Sequence, residues 1–232
     1  VCSSDLVAAD EADAWALTEL CALRRAASDW KEVYRLLVRR TELAADGESI
    51  RELRHEAAEV ARRELSDLQA ATDLHEQNFE AQPTDERASS ALRELYAEAG
   101  KKKELLALLT RLVDVNDDKA KRSALRLEAA KVANELEGTS EAIELLDAVL
   151  EEEPAQAEAA LELSRLLEKA GRDDDLASLL TKQISLARER GDVGAELGYL
   201  VRLGEVQESR LGALDKAVES FVAVLDRDAA HR

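Results

Sequence analysis

Apolar side chains recur at three- and four-residue intervals along almost the whole chain, as in Leu92, Leu95, Tyr96 and Ala99, or Ala142, Leu145, Leu146, Val149 and Leu150. This spacing collects them on one side of a helix and predicts one-sided helices of about three to four turns. Short breaks punctuate the pattern at Ser28-Asp29, Asp46-Gly47, Ser66-Asp67, Gln82-Pro83-Thr84, Gly100, Asn116-Asp117-Asp118, Gly138, Glu153-Pro154, Gly171, Gly191-Asp192 and Gly212. Eleven breaks leave twelve helical segments. Glycine suits a helix end because it enters the left-handed region without a Cβ penalty, and Asp, Ser or Asn then caps the next helix. Connections this short force consecutive helices to run antiparallel, as helical hairpins.

The pattern also repeats. Leu53-Arg54-His55-Glu56-Ala57-Ala58-Glu59-Val60-Ala61 returns as Leu125-Arg126-Leu127-Glu128-Ala129-Ala130-Lys131-Val132-Ala133, 125 − 53 = 72 residues later, with seven of nine positions identical. Leu92, Leu95, Ala99, Gly100, Leu105, Leu108, Leu109 and Thr110 return 71 residues later as Leu163, Leu166, Ala170, Gly171, Leu176, Leu179, Leu180 and Thr181. Self-similarity at a fixed period marks a solenoid, in which each unit buries its apolar face on the next. The chain divides into a leader at 1–12 and three double hairpins, at 13–84, 85–156 and 157–232, the last read as cut short at its end. The first copy is the most degenerate, with Gln77 and Asn78 set against Val149 and Leu150. The expected fold is all-α, a right-handed α-solenoid of about six antiparallel helical hairpins. Leu109→Asp is expected to unfold its own double unit and the neighbouring one.

Hairpins beginning at 86, 123, 157 and 198 are spaced by 37, 34 and 41 residues, which brackets the roughly 34 of the tetratricopeptide repeat. Leu92, Tyr96, Gly100, Leu105 and Leu109 stand in one unit, Ala142, Leu146 and Pro154 close the next, and Leu163, Leu167, Gly171, Leu176 and Leu180 follow. Leu203-Gly204, Ala217 and Phe221 mark the last. After residue 12 the chain resembles a degenerate tetratricopeptide array, read as a fragment of a longer bacterial protein. The signature Trp is absent after residue 85, and Leu replaces most second-helix Ala. The resemblance implies that the first helix of each hairpin lines a concave groove for a partner peptide or protein. Carried across, the groove would present Arg87, Ser90 and Glu94, then Leu127, Lys131 and Asn134, then Glu158, Leu161, Arg165 and Lys169. The Lys and Asn clamp that some members close on a terminal carboxylate is absent here, since the counterparts of Lys131 and Asn134 in the neighbouring unit are Glu94 and Ala97.

Composition narrows the function further. Fifty acidic against 32 basic residues give a net charge of −18; this repels polyanions, whose binding depends on neutralised phosphates, so nucleic acid is disfavoured as a partner. Aromatics make up only 3% of the chain, leaving few platforms on which bases could stack. No apolar run approaches the roughly 18 residues of a membrane span, so a soluble segment is expected, in cytoplasm or periplasm. Val1 to Leu6 reads as the translation of a sequencing-adapter end and is set aside.

Candidate chemistry is sparse. His55, His75 and His231 are scattered, and His75-Glu76 lacks the second His a zinc-protease helix needs. Cys21, between Leu20 and Leu23, reads as a small buried hydrophobe. No phosphate-binding glycine loop is present. Asp173-Asp174-Asp175 is expected to cap a helix beginning near 175, and Lys101-Lys102-Lys103 to sit at the negative end of one. Glu151-Glu152-Glu153 opposes its own helix dipole and is the foremost acidic contact candidate. No catalytic, cofactor or metal site is expected. The function expected is a non-catalytic scaffold that binds proteins or peptides in a groove; the alternative is a regulatory or substrate-docking arm of a larger enzyme or signalling protein. A coiled-coil or spectrin-like rod would need a sustained seven-residue seam, which the glycine breaks interrupt. Open ends near Leu6 and Phe221 predict self-association.

Overall fold

The structure, a computed structural model, describes residues 14–227. Among them are twelve helices: α1 (Ala14–Ala26), α2 (Trp30–Leu43), α3 (Gly47–Arg63), α4 (Leu68–Ala81), α5 (Glu86–Glu98), α6 (Lys102–Asp114), α7 (Lys119–Glu135), α8 (Thr139–Glu152), α9 (Ala157–Ala170), α10 (Asp173–Arg190), α11 (Val193–Ser209) and α12 (Leu214–Arg227). Each break read from the sequence separates two of them. The fold is an all-α solenoid of helical hairpins. The proposed leader and adapter-like residues, Leu6 and His231 lie outside the described residues.

The chain forms two compact units, 1–108 and 109–232, whose boundary falls within α6. In the first, α1 packs on α2, α2 on α3, α3 on α4 and α4 on α5. The second follows the same rule from α7 to α12. This nearest-neighbour packing lets helices with one apolar stripe share a core. In the first unit that core holds Leu17, Leu20, Cys21, Val33, Leu36, Leu37, Ala57, Ala61, Leu74 and Leu95. Leu146, Leu163, Leu176, Leu180 and Leu203 are buried in the second. Small residues set the closest approach: a Cβ on Gly204 of α11 would stand 2.7 Å from the Phe221 ring of α12. Phe221 is therefore half-buried, and the exposed apolar residues of α12 are Leu214, Val218, Val222 and Leu225.

Helix lengths carry the repeat. α3, α7 and α11 each span 17 residues, and α4, α8 and α12 each span 14. From α3 to α7 the start moves by 119 − 47 = 72, but from α4 to α8 it moves by 139 − 68 = 71. This one-residue change corrects the sequence alignment in the first copy. Asn78, not Gln77, matches Val149, and Phe79 matches Leu150, so helix α4 keeps a buried aromatic where α8 keeps a leucine.

Caps explain where starts differ from expectation. α7 begins at 119 and α11 at 193, rather than at 123 and 198, because Asp118 accepts from Ala120 N and Lys121 N while Asp192 accepts from Ala195 N. α10 begins at Asp173, so the three aspartates fill its first turn rather than precede it. There they complement the positive helix end. Gly100, Gly171, Gly191 and Gly212 take positive φ as expected. Gly138 does not: Glu137 occupies the left-handed position (φ 63°), and a Cβ on Gly138 would meet the Ala133 carbonyl oxygen at 3.1 Å. Glycine at 138 relieves that close approach.

Candidate functional site

Within each unit, first helices of successive hairpins are joined by ion pairs at the surface. In the first unit Arg87 of α5 reaches Glu59 (2.8 Å) and Glu52 (3.4 Å) of α3, and Arg62 of α3 reaches Glu94 (2.8 Å) of α5. In the second, Lys131 of α7 holds Glu158 of α9 at 2.8 Å, a bond that raises the lysine pKa. Glu168 of α9 holds Arg202 of α11 at 3.3 Å.

Placed in repeat register, these pairs reveal an inversion. Glu59 corresponds to Lys131 (131 − 59 = 72) and Arg87 to Glu158 (158 − 87 = 71), so the same cross-helix bridge recurs with its signs exchanged. Arg25 and Glu56 are likewise joined, between α1 and α3. The Glu59–Arg87 and Lys131–Glu158 places both keep a bridge while neither position keeps its sign. Exposed pairs contribute only about 0.2 to 1 kcal/mol. Glu158→Arg should therefore lower the urea midpoint slightly, and adding Lys131→Glu should restore most of the loss; a double-mutant cycle with no coupling would show that the bridge contributes nothing.

The groove candidates separate on this frame. Arg87, Ser90, Glu94, Lys131, Glu158, Leu161, Arg165 and Lys169 are exposed. Arg87, Glu94, Lys131 and Glu158 are engaged in the bridges above, and Arg165 pairs within its own helix to Glu162 at 2.6 Å. Asn134 is half-buried, with its Oδ1 buried and lacking a protein hydrogen-bond partner. Leu127 is a correction: it is 9% exposed. Its counterpart in the first copy is His55 (127 − 72 = 55), also buried, so this register faces the core rather than a partner.

His55 and His75, twenty residues apart in sequence, meet in the first unit with ring centroids 5.4 Å apart. His55 Nε2 lies 2.8 Å from Asp85 Oδ2, and Asp85 also accepts from Arg87 N and Ala88 N at the start of α5. Burial opposes ionisation of Asp85, but the Ala88 amide and His55 outweigh it and hold the carboxyl below its ordinary range. Asn78 Nδ2 donates to the Arg51 carbonyl at 3.0 Å. Three polar side chains, Thr72, His75 and Asn78, thus occupy buried places that α8 fills with Ile143, Leu146 and Val149. His75 bears the consequence. Burial, then repulsion from His55 and Arg87, lowers its pKa to about 4. Sequence reading missed this cluster because the two rings come from adjacent helices; the three polar interruptions of the α4 stripe were its only signal.

Other expected contacts serve the fold. Glu152 accepts from Arg126 (2.7 Å) and Arg122 (3.1 Å), which lower its pKa, and Ser123 donates to Glu153 at 3.1 Å. The acidic run thus has the structural role that its dipole cost seemed to lack. Lys101 Nζ donates to Gln69 at 3.0 Å. Cys21 is a buried free thiol. Among the described residues no group of three or more His, Cys, Asp or Glu is arranged to hold a metal, and no helix is long and apolar enough to cross a membrane.

No protein-family model and no curated protein sequence matches the chain. Solved structures align with it. The crystal structure of MamA aligns with 77% of this chain and 92% of its own, at 18% identity and a TM-score of 0.44. YrrB, described as a TPR protein with an unusual peptide-binding site, aligns over 81% of this chain and 95% of its own, at 16% identity and 0.44. A tetratricopeptide repeat protein from Parabacteroides merdae covers 94% of each chain at 14% identity and 0.44.

Proposed function

We propose that this chain is a non-catalytic protein-interaction scaffold whose first-helix faces hold a partner protein or peptide. The observation that carries the reading is Leu161. It stands 45% exposed on α9, on the helix that also carries Glu158 of the Lys131 bridge, Arg165 and Lys169. An exposed apolar side chain with charged neighbours on its helix can serve an interface, because the partner gains its burial while the polar rim fixes orientation. The net charge of −18 supports a protein partner over nucleic acid. Three double hairpins, ending near 84, 156 and 232, belong to the same proposal, supported by the matched helix lengths. A docking arm of a larger enzyme would use the same surface.

A photo-crosslinking residue placed at Leu161 should join a discrete host protein, and the same residue at exposed Glu144 of α8 should not. Leu161→Asp combined with Lys169→Glu should reduce capture of that partner at least about tenfold, the loss of one buried anchor. Equal labelling from both positions, or capture indifferent to the double variant, would remove the first-helix face from consideration.

A further inference from the structure

The second unit contains a cleft of about 660 Å3 formed by α8, α9 and α10. Its apolar lining includes the half-buried Leu150 and Leu186 and the buried Leu167 and Leu179, and Asp147, Glu151 and Lys182 carry its charge. Arg172 and Asp175 also line it but satisfy each other at 2.6 Å. The volume lies within the range of ligand-binding pockets.

The first copy shows what this place accommodates. Glu76 corresponds to Asp147 and Tyr96 to Leu167, each 71 residues apart. In the first copy Tyr96 is 7% exposed and its hydroxyl donates to the Glu76 carboxylate at 2.7 Å. Burial, then the bond to Glu76, pushes the tyrosine pKa up and keeps the hydroxyl a donor. In the second copy both halves of that contact change. Leu167 ends short of where a phenol would reach, and Asp147 has no hydrogen bond or ion pair to any described residue. Asp147 is exposed at the cleft mouth's α8 side; desolvation raises its pKa against the pull of Arg172 and Lys182, with Asp175 and Glu151 adding to the rise. The second copy therefore holds the acceptor without an internal donor.

We propose that this cleft is a second binding site, which takes a tyrosine side chain of a partner protein with its ring against Leu150, Leu167 and Leu179 and its hydroxyl donated to Asp147. The incoming phenol supplies from outside the contact that Tyr96 makes from within. The cleft takes Asp147 and most of its lining from the second helices α8 and α10, with Leu167 from α9; Leu161 of the face proposed above is not among its lining residues, so either site can fail alone.

The test is a titration of the intact chain with N-acetyl-tyrosinamide, followed by leucine methyl resonances. Saturable shifts should be confined to Leu150, Leu167, Leu179 and Leu186. N-acetyl-phenylalaninamide, lacking the hydroxyl, should bind about tenfold more weakly, as expected for loss of a hydrogen bond to a charged group. Leu167→Tyr rebuilds the first-copy contact; it should abolish binding and leave the melting temperature unchanged or higher. Asp147→Ala removes only an unpaired group, so it should fold and bind both amides equally. No shift at these methyls, equal binding of both amides to the native chain, undiminished binding to folded Leu167→Tyr, or a tyrosine preference that survives Asp147→Ala would each overturn the proposal. Binding of p-cresol without N-acetyl-tyrosinamide would also overturn it, since the cleft would then read a small phenol rather than a protein side chain.

Discussion

His75→Leu is expected to stabilise the first unit more at pH 5 than at pH 8, by roughly 2 kcal/mol. Leucine already occupies the matching place in the second copy, at Leu146, which is 2% exposed, so the substitution asks for a side chain the repeat accommodates. The pH dependence comes from the imidazole. Its folded pKa of about 4 lies below the ordinary 6.5, so the folded state prefers the neutral ring. That preference contributes fully above pH about 6.5 and is lost as the pH falls toward 4, a total of about 3 kcal/mol. Asp85, whose carboxyl is held below its usual range, loses its own contribution in the same acidic direction. Both tryptophans, Trp15 and Trp30, lie in the first unit. Their fluorescence during urea unfolding therefore reports this unit directly. An equal gain at both pH values would mean that His75 does not titrate on unfolding and that the ring is solvated.

Leu163→Asp is expected to unfold the second unit. Leu163 is 1% exposed on α9, which packs on both α8 and α10. Losing its burial costs about 1.5 to 3 kcal/mol, and a carboxylate without a partner adds several more. Together these approach the whole stability of an ordinary domain. Amide protection should collapse across α8 to α10, with a matching loss of helical circular dichroism. Leu163→Met, which conserves volume, should cost less than about 1.5 kcal/mol. If the aspartate variant kept native protection, the residue could not be part of the shared core.

How much of this was legible beforehand depended on distance along the chain. Helices and breaks are local, and the three- to four-residue spacing around Leu92 or Leu146 placed them. Gly100 and Gly171 marked their turns because the left-handed backbone needs no distant partner. Helix starts at 119 and 193 were less accessible, since Asp118 and Asp192 had to be distinguished from neighbouring polar residues as the caps. Leu127 shows the remaining difficulty: its place in a family pattern suggested the groove, while the packing of its own helix put it in the core. The His55 and His75 contact and the Asp147 cleft arise between helices, and no window of sequence contains both sides of either. Comparison between copies recovers them, because His75 against Leu146 and Tyr96 against Leu167 mark where the chain departed from its own template.

The inverted ion pairs bear on how such a chain avoids exchanging its parts. α3 and α7 share seven of nine residues over 53–61 and 125–133, so during folding each could settle against the other's neighbour with almost the same apolar fit. The charges distinguish them. If α7 took the place of α3 beside α5, Lys131 would meet Arg87; if α3 took the place of α7 beside α9, Glu59 would meet Glu158. Each exchange sets like charges together where the native order sets opposites, and discrimination between near-identical partners needs only such a difference in energy. Bridges too weak to hold the array together can still act as an address label, sorting similar strips of chain into their proper berths before the leucines lock.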